Sequence, residues 1–335
     1  MQAAIYGPEG LELTRDERLF FRDADPAGFI LFRRNCETPE QLQRLTDSLR
    51  DLTGRADLPI LIDQEGGRVA RMRPPVWPAF PAAERFANLY LAAPSSAIEA
   101  VRSNARALAL MLRSCGINVD ALPLLDVRQE GATDIIGDRA LGNEPMQVAA
   151  LGRAVLDGLG SAGVVGIVKH MPGHGRALVD SHKDLPVVTA SADELEVDLE
   201  PFERLASAPM GMTAHVVYTA WDPQRPASLS PIVIGEIIRG RIGFDGFLMS
   251  DDIGMEALAG DFGSRAAGVV AAGCDAALHC SGKMEEMVAV AELTPTLSPE
   301  GEARLARAMA ATMLDDDGPN LAEALAKRDQ LLALV

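Results

Sequence analysis

Short apolar runs alternate with longer stretches of helical periodicity along nearly all of this 335-residue chain, and that alternation restricts its fold more than any other feature. The runs at 3–6, 28–33, 59–63, 118–126, 165–170, 211–217, 246–250 and 276–280 are predicted as strands. Between them lie segments predicted as helices, such as 38–52, 97–112, 147–159, 192–205, 231–239, 264–272 and 284–293; several are opened by Thr or Ser near Glu or Asp, a helix-start signal. Strands joined through helices run parallel and are covered on both faces. Eight such units close an α/β fold of the single (β/α)8 TIM-barrel type, and no Pro-, Ser- or Gly-rich linker interrupts them. An open doubly wound sheet accepts the same alternation and is the competing expectation. Residues 299–313 and 321–334 are predicted as extra helices packed outside, which leaves no room for a second domain in 1–335.

Charge and cysteine usage narrow the setting. With 31 Lys+Arg against 48 Asp+Glu the formal charge is −17, which repels nucleic-acid phosphates and anionic lipid, and no basic run offsets it. Cys36, Cys115, Cys274 and Cys280 lack a paired CxxC spacing, so neither a disulfide framework nor a structural zinc site is expected. The start of the chain lacks a basic, apolar leader, and no later run reaches about 18 apolar residues. A cytoplasmic protein is expected, without nucleic-acid or membrane partners. Its oligomeric state is open, a monomer being the simplest expectation.

In a barrel of this type the chemistry sits at the C-terminal ends of the strands. All five histidines, His170, His174, His182, His215 and His279, fall at or just beyond strand ends. Asp63-Gln64-Glu65 closes the third strand, Asp126 the fourth, Lys169-His170 the fifth and Ser250-Asp251-Asp252 the seventh. Any one histidine taken singly serves equally well as a structural donor to a loop. The segment from Lys169 to Pro186 carries two prolines and two glycines beyond His170, which excludes a regular helix and predicts a long loop of the kind that closes over ligands. Within it Asp180 and His182 stand two residues apart, so that an imidazole N–H can meet the carboxylate and leave the other ring nitrogen for proton transfer. An Asx-type turn with a solvent-facing histidine is the plainer alternative. Ser-Asp-Asp at a strand end puts at least one carboxylate in the barrel mouth, as nucleophile, metal ligand or partner of a substrate hydroxyl. Joined to a mobile acid/base dyad, such a carboxylate suits two-step acyl or glycosyl transfer.

These residues fall into ordered motifs: 28–35 (GFILFRRN), 62–71 (IDQEGGRVAR), 137–142 (GDRALG), 169–175 (KHMPGHG), 180–182 (DSH), 212–215 (MTAH) and 250–252 (SDD). Together they resemble the bacterial β-N-acetylglucosaminidases (β-N-acetylhexosaminidases) of glycoside hydrolase family 3, of the NagZ type. The resemblance implies one catalytic barrel over 1–335 and the removal, with retention of configuration, of terminal β-linked N-acetylglucosamine, typically from anhydro-muropeptides recycled from the cell wall. It implies Asp251 as nucleophile and His182 as acid/base, with Asp180 orienting and tuning His182. It further implies Asp63, Arg71, Arg139, Lys169 and His170 as ligands of the sugar. No metal or organic cofactor is implied. The chain departs from many relatives at Arg176-Ala177, where an acidic residue is common, and at Met171 and Gly254; these bear on loop closure and aglycone preference.

Two other readings compete. A metal-dependent hydrolase would gather His170, His174, His182, His215 and Asp251 around zinc, although Lys169 beside them disfavours a cation. A non-catalytic amino-sugar-binding protein would keep the pocket, yet has no use for a nucleophile opposite a proton shuttle.

Overall fold

The computed structural model describes residues 1–129, 131–132, 134–179, 184–310, 312 and 318–335. Ten strands are seen among them: β1 Gln2–Tyr6, β2 Pro26–Leu31, β3 Ile60–Ile62, β4 Val119–Asp120, β5 Val165–Met171, β6 Val187–Val188, β7 Met210–Thr213, β8 Val217–Tyr218, β9 Phe247–Asp252 and β10 Ala276–His279. Eight form a closed barrel in the order β1-β10-β9-β7-β5-β4-β3-β2, every pair parallel. The open-sheet alternative is thereby excluded. β6 and β8 pair separately as a small sheet beside it.

Alternation along the strands divides the apolar residues into two buried sets. Ile5, Leu61, Val119, Ile167, Met212 and Met249 meet inside the barrel, while Tyr6, Ile60, Ile62 and Val168 join helix residues such as Leu42, Leu45 and Leu108 in the outer layer. The main helices of that layer include α1 Arg15–Ala24, α2 Pro39–Thr53, α3 Ala83–Ala92, α4 Pro94–Ser114, α5 Pro145–Gly160, α6 Ala192–Arg204, α7 Phe262–Ala272 and α8 Met284–Leu293. Local chemistry fixes their ends. The Thr38 side chain accepts the Gln41 N–H, Pro39 occupies the first turn of α2, and Gly54 ends it in a left-handed conformation, each a known helix boundary device. α1, absent from the predicted helices, is opened by a Thr14–Glu17 capping box, a signal present in the sequence.

Four expectations are corrected. The fourth strand stops at Asp120 instead of running to 126, because the Leu122 N–H turns back to the Asp120 carbonyl and Pro123 has no N–H to offer; only a bridge from Leu124 to Lys169 continues it. The sixth run, 211–217, splits between β7 and β8, with Ala214-His215 turned out of both. The helix predicted at 231–239 is a π-helix, Val233–Arg241. Of the final helices, α9 Pro299–Ala310 is not simply outside: Leu305, Ala308 and Met309 pack with the barrel interior and form its floor. α10 Leu321–Leu332 has only Ala324, Arg328 and Leu332 buried, and Ala324 and Leu332 join the outer layer.

Candidate functional site

The C-terminal ends of the barrel strands surround a cleft of ≈ 250 Å³, small beside the usual range of ligand pockets, which begins near about 300 Å³. Asp63, Glu65, Arg71, Arg139, Lys169, His170, His174, Asp251, Asp252 and Cys280 all line it. Six of the eight residues expected at the site are thus brought together. The other two, Asp180 and His182, lie outside the described residues.

One wall is built after β3. The Gln64 amide accepts the N–H groups of Arg71 and Met72 and donates to the Met72 carbonyl, so the turn between Asp63 and Arg71 is fixed from within. Gly66 takes φ 95° there, and a Cβ would strike the Pro81 carbonyl; no other residue fits without strain. Asp63 then pairs with Arg71 at 3.0 Å and with Lys169 at 3.1 Å. Glu65 meets Lys169 at 2.7 Å and grips Arg139 with both oxygens, at 2.7 and 2.8 Å. Two carboxylates and three cations leave this network with one surplus positive charge. Burial alone would raise the Asp63 carboxyl, but the charges and hydrogen bonds of Lys169 and Arg71 outweigh it and hold it below the usual range. Glu65 is held down in the same way by Lys169 and Arg139. Lys169 is only 2% exposed; burial favours its neutral form, yet Glu65 and Asp63 raise its pKa, so it stays charged. Such a network presents charged donors and acceptors already oriented, which suits recognition of sugar hydroxyls.

Below it, fully buried Asp126 organises the start of the long loop. Its Oδ1 accepts the backbone N–H groups of His170 at 3.1 Å and His174 at 2.7 Å, and its Oδ2 meets His170 Nδ1 at 2.8 Å. Burial would raise its carboxyl, but His170 and these bonds bring it to about 2. With Nδ1 committed to Asp126, His170 presents Nε2 as its other hydrogen-bonding atom. His174 is pulled down to about 4 by burial and by the neighbouring His170.

The opposite wall is the end of β9. Asp251 Oδ1 accepts the N–H of Asp252 at 2.8 Å. Asp252 Oδ1 accepts from Gly254 and Cys280 N–H groups at 2.9 and 3.2 Å, and burial together with the charge of Asp251 pushes its carboxyl up to about 6. The Ser250 hydroxyl takes the Leu278 N–H, tying the strand end to β10. Arg176, where the motif departs from many relatives, pairs with buried Asp198 of α6 and donates to the Glu194 carbonyl; it anchors the near end of the long loop to that helix.

The sequence locates Glu65, Asp126, His174 and Asp252 near predicted strand ends; it names His174 only among the zinc ligands of the competing reading and Asp252 only within Ser-Asp-Asp, and it gives Glu65 and Asp126 no role. Glu65 links Lys169 to Arg139, and Asp126 orients His170; the position of each at a strand end was the available signal. Among the described residues no three His, Cys, Asp or Glu side chains gather as a metal site.

A parallel barrel whose mouth holds a carboxylate-and-cation wall facing strand-end carboxylates has the layout of a carbohydrate-cleaving barrel. The chain belongs to the family described as glycosyl hydrolase family 3 N-terminal domain, which matches residues 9–311, and it is a glycoside hydrolase. It is 39% identical over 317 residues to the beta-hexosaminidase of Alkalilimnicola ehrlichii, covering 93% of this chain and 90% of that one. To the beta-hexosaminidase of Bordetella avium it is 39% identical over 277 residues, 81% and 78% of the two chains. Its fold is similar to native NagZ from Neisseria gonorrhoeae, with a TM-score of 0.87 at 33% identity over 99% and 98% of the chains. The same neighbour has been solved in complex with N-trifluoroacetyl-D-glucosamine.

Proposed function

We propose that this chain is a retaining exo-β-N-acetylglucosaminidase acting as one catalytic unit, with Asp251 as nucleophile and His182, tuned by Asp180, as acid/base. Asp251 attacks the anomeric carbon while His182 protonates the departing oxygen; the imidazole then takes a proton from water, which hydrolyses the glycosyl-enzyme ester. Asp63, Arg71, Arg139, Lys169 and His170 hold the sugar. The substrate class is terminal β-linked N-acetylglucosamine on an anhydro-muropeptide, processed in the cytoplasm by a monomer. The observation carrying the reading is that Asp251 lines one small cleft with the preorganised Asp63–Lys169–Glu65–Arg139 wall. The beta-hexosaminidase relatives and the N-acylated glucosamine bound by a structural neighbour support the choice of sugar.

The test compares nitrophenyl N-acetylglucosaminide, the corresponding glucoside and a purified anhydro-muropeptide, following the first-formed anomer by NMR. Cleavage confined to the acetamido sugars, with the β-anomer appearing first, is the expected result. His182→Ala should slow the muropeptide by about 10²–10⁴-fold and the nitrophenyl substrate far less, since a good leaving group needs little protonation. Equal losses would remove His182 from the acid role. Binding of the acetamido sugar without any hydrolysis would favour a sugar-binding protein.

A further inference from the structure

His215 lies in the chain between β7 and β8, is fully buried, and belongs to none of the interactions invoked above. Its Nε2 stands 3.0 Å from the carbonyl oxygen of Asp252, and its Nδ1 stands 2.7 Å from the hydroxyl of Ser228. A carbonyl oxygen only accepts, so Nε2 must carry the hydrogen. Burial lowers the pKa of the ring, which keeps it neutral, and the bare Nδ1 then accepts the Ser228 hydroxyl proton. Ser228 is itself fully buried, and its N–H donates to the Ala214 carbonyl beside His215. The tautomer of the ring is therefore set on both sides.

The residue that His215 grips is the one that braces Asp251. The N–H of Asp252 meets Asp251 Oδ1, its carboxylate is tied to Gly254 and Cys280, and its carbonyl is tied to His215. Asp252 thus has its N–H, side chain and C=O each committed in a different direction. The Asp252 carbonyl also accepts the Met255 N–H at 3.1 Å, and the Cys280 side chain bonds the Asp252 carboxyl from the β10 side; His215 is the side chain that reaches Asp252 from the other neighbour, since β9 lies between β10 and β7 in the ring.

We propose that His215 is a positioning residue for the glycosylation step, holding the end of β9 through the Asp252 carbonyl so that the Asp251 carboxylate stays aligned with the anomeric carbon. This rests on the reading of Asp251 as nucleophile. Misplacement of a reacting group by about 1 Å costs on the order of 10²-fold in rate, whereas the sugar-binding wall lies on other strands and should keep its affinity.

Two substitutions separate the ring's contacts. The amide nitrogen of Gln reaches about as far as Nε2 and can still donate to the Asp252 carbonyl; that of Asn reaches only to the position of Nδ1, near Ser228. His215→Asn should lower kcat by about 10²-fold with KM changed less than about threefold, and His215→Gln should restore kcat to within about tenfold of wild type. The rate at which a 5-fluoro N-acetylglucosaminyl fluoride labels the protein, followed by intact mass and peptide mapping, should fall in parallel with kcat. Should the Asn variant not fold, Ser228→Ala removes the proton donor to Nδ1 and should lower kcat by about 5–10-fold at unchanged KM. Wild-type kcat and labelling rate in the Asn variant, or in Ser228→Ala where it stands in, would overturn the inference. So would equal losses in the Asn and Gln variants accompanied by loss of affinity for N-acetylglucosamine, which is the mark of a merely structural histidine. Labelling of wild type at a residue other than Asp251 would instead bring down the functional reading itself.

Discussion

The two walls of the cleft treat carboxylates in opposite ways. After β3, Asp63 and Glu65 are locked to Lys169, Arg71 and Arg139 and kept charged below their usual range. At the end of β9, Asp252 is met by backbone N–H groups and its carboxyl rises to about 6. The first wall is a rigid, already ionised surface that a sugar can bind without reorganising anything. The second places a carboxylate beside another carboxylate, so that charge there is costly and would be relieved on forming the proposed glycosyl ester. On the proposed roles, binding and reaction fall on different strands, and substitutions on the two sides should fail differently.

The sharpest break in this comparison is Asp251→Ala. It should lower kcat by about four orders of magnitude or more while binding of free N-acetylglucosamine, measured by calorimetry, is nearly preserved. Loss of binding with residual turnover would merge the two walls into one. A smaller effect is expected from Glu65→Gln, which keeps the shape but leaves Lys169 and Arg139 without their shared charge. KM should rise by about 10–100-fold with kcat less affected, and urea denaturation should register a loss of about 3 kcal/mol, as when one partner of a buried ion pair is removed. An unchanged KM would reduce that wall to a scaffold.

The smallest effect concerns Asp252→Asn and isolates the raised carboxyl. In the unfolded chain an Asp titrates near about 3.9, so the folded state, at about 6, holds this proton more tightly. The stabilisation this brings is complete below about pH 4 and is lost as the pH rises through 6. Asn carries no such loss. The stability difference between variant and wild type should therefore move toward the variant between pH 4 and 7, by about 2 kcal/mol. A pH-independent difference would place Asp252 among ordinary carboxylates.

Much of this contrast was legible before folding, and the reason is geometric. Each apolar run ends in the polar residues that a barrel must expose at its mouth, so Asp63, Lys169, His170 and Asp251 could be placed without coordinates. Their partners could not. Glu65 reaches Arg139 across 74 positions and Asp126 reaches His170 across 44, and only closure of the ring decides such pairs. Local pattern also misjudged the fourth strand, where the chain turns back on itself at Leu122, and the stretch 233–241, whose apolar spacing fits an ordinary helix although it winds with π turns. The role of α9 was hidden for another reason: its amphipathic face looks the same whether it rests on a helix or seals a barrel.

That seal bears on how the chain matures. β1 has β10 as one of its two neighbours, and Leu305, Ala308 and Met309 fill the lower end of the interior. A nascent chain that has not yet emitted these late segments holds a half-built ring with an open seam and an unroofed apolar base, a species prone to sticking to its neighbours. Completion of the barrel waits on β10 and α9, which are made after Asp63, Lys169 and Asp251; β10, with Cys280, also finishes the cleft itself.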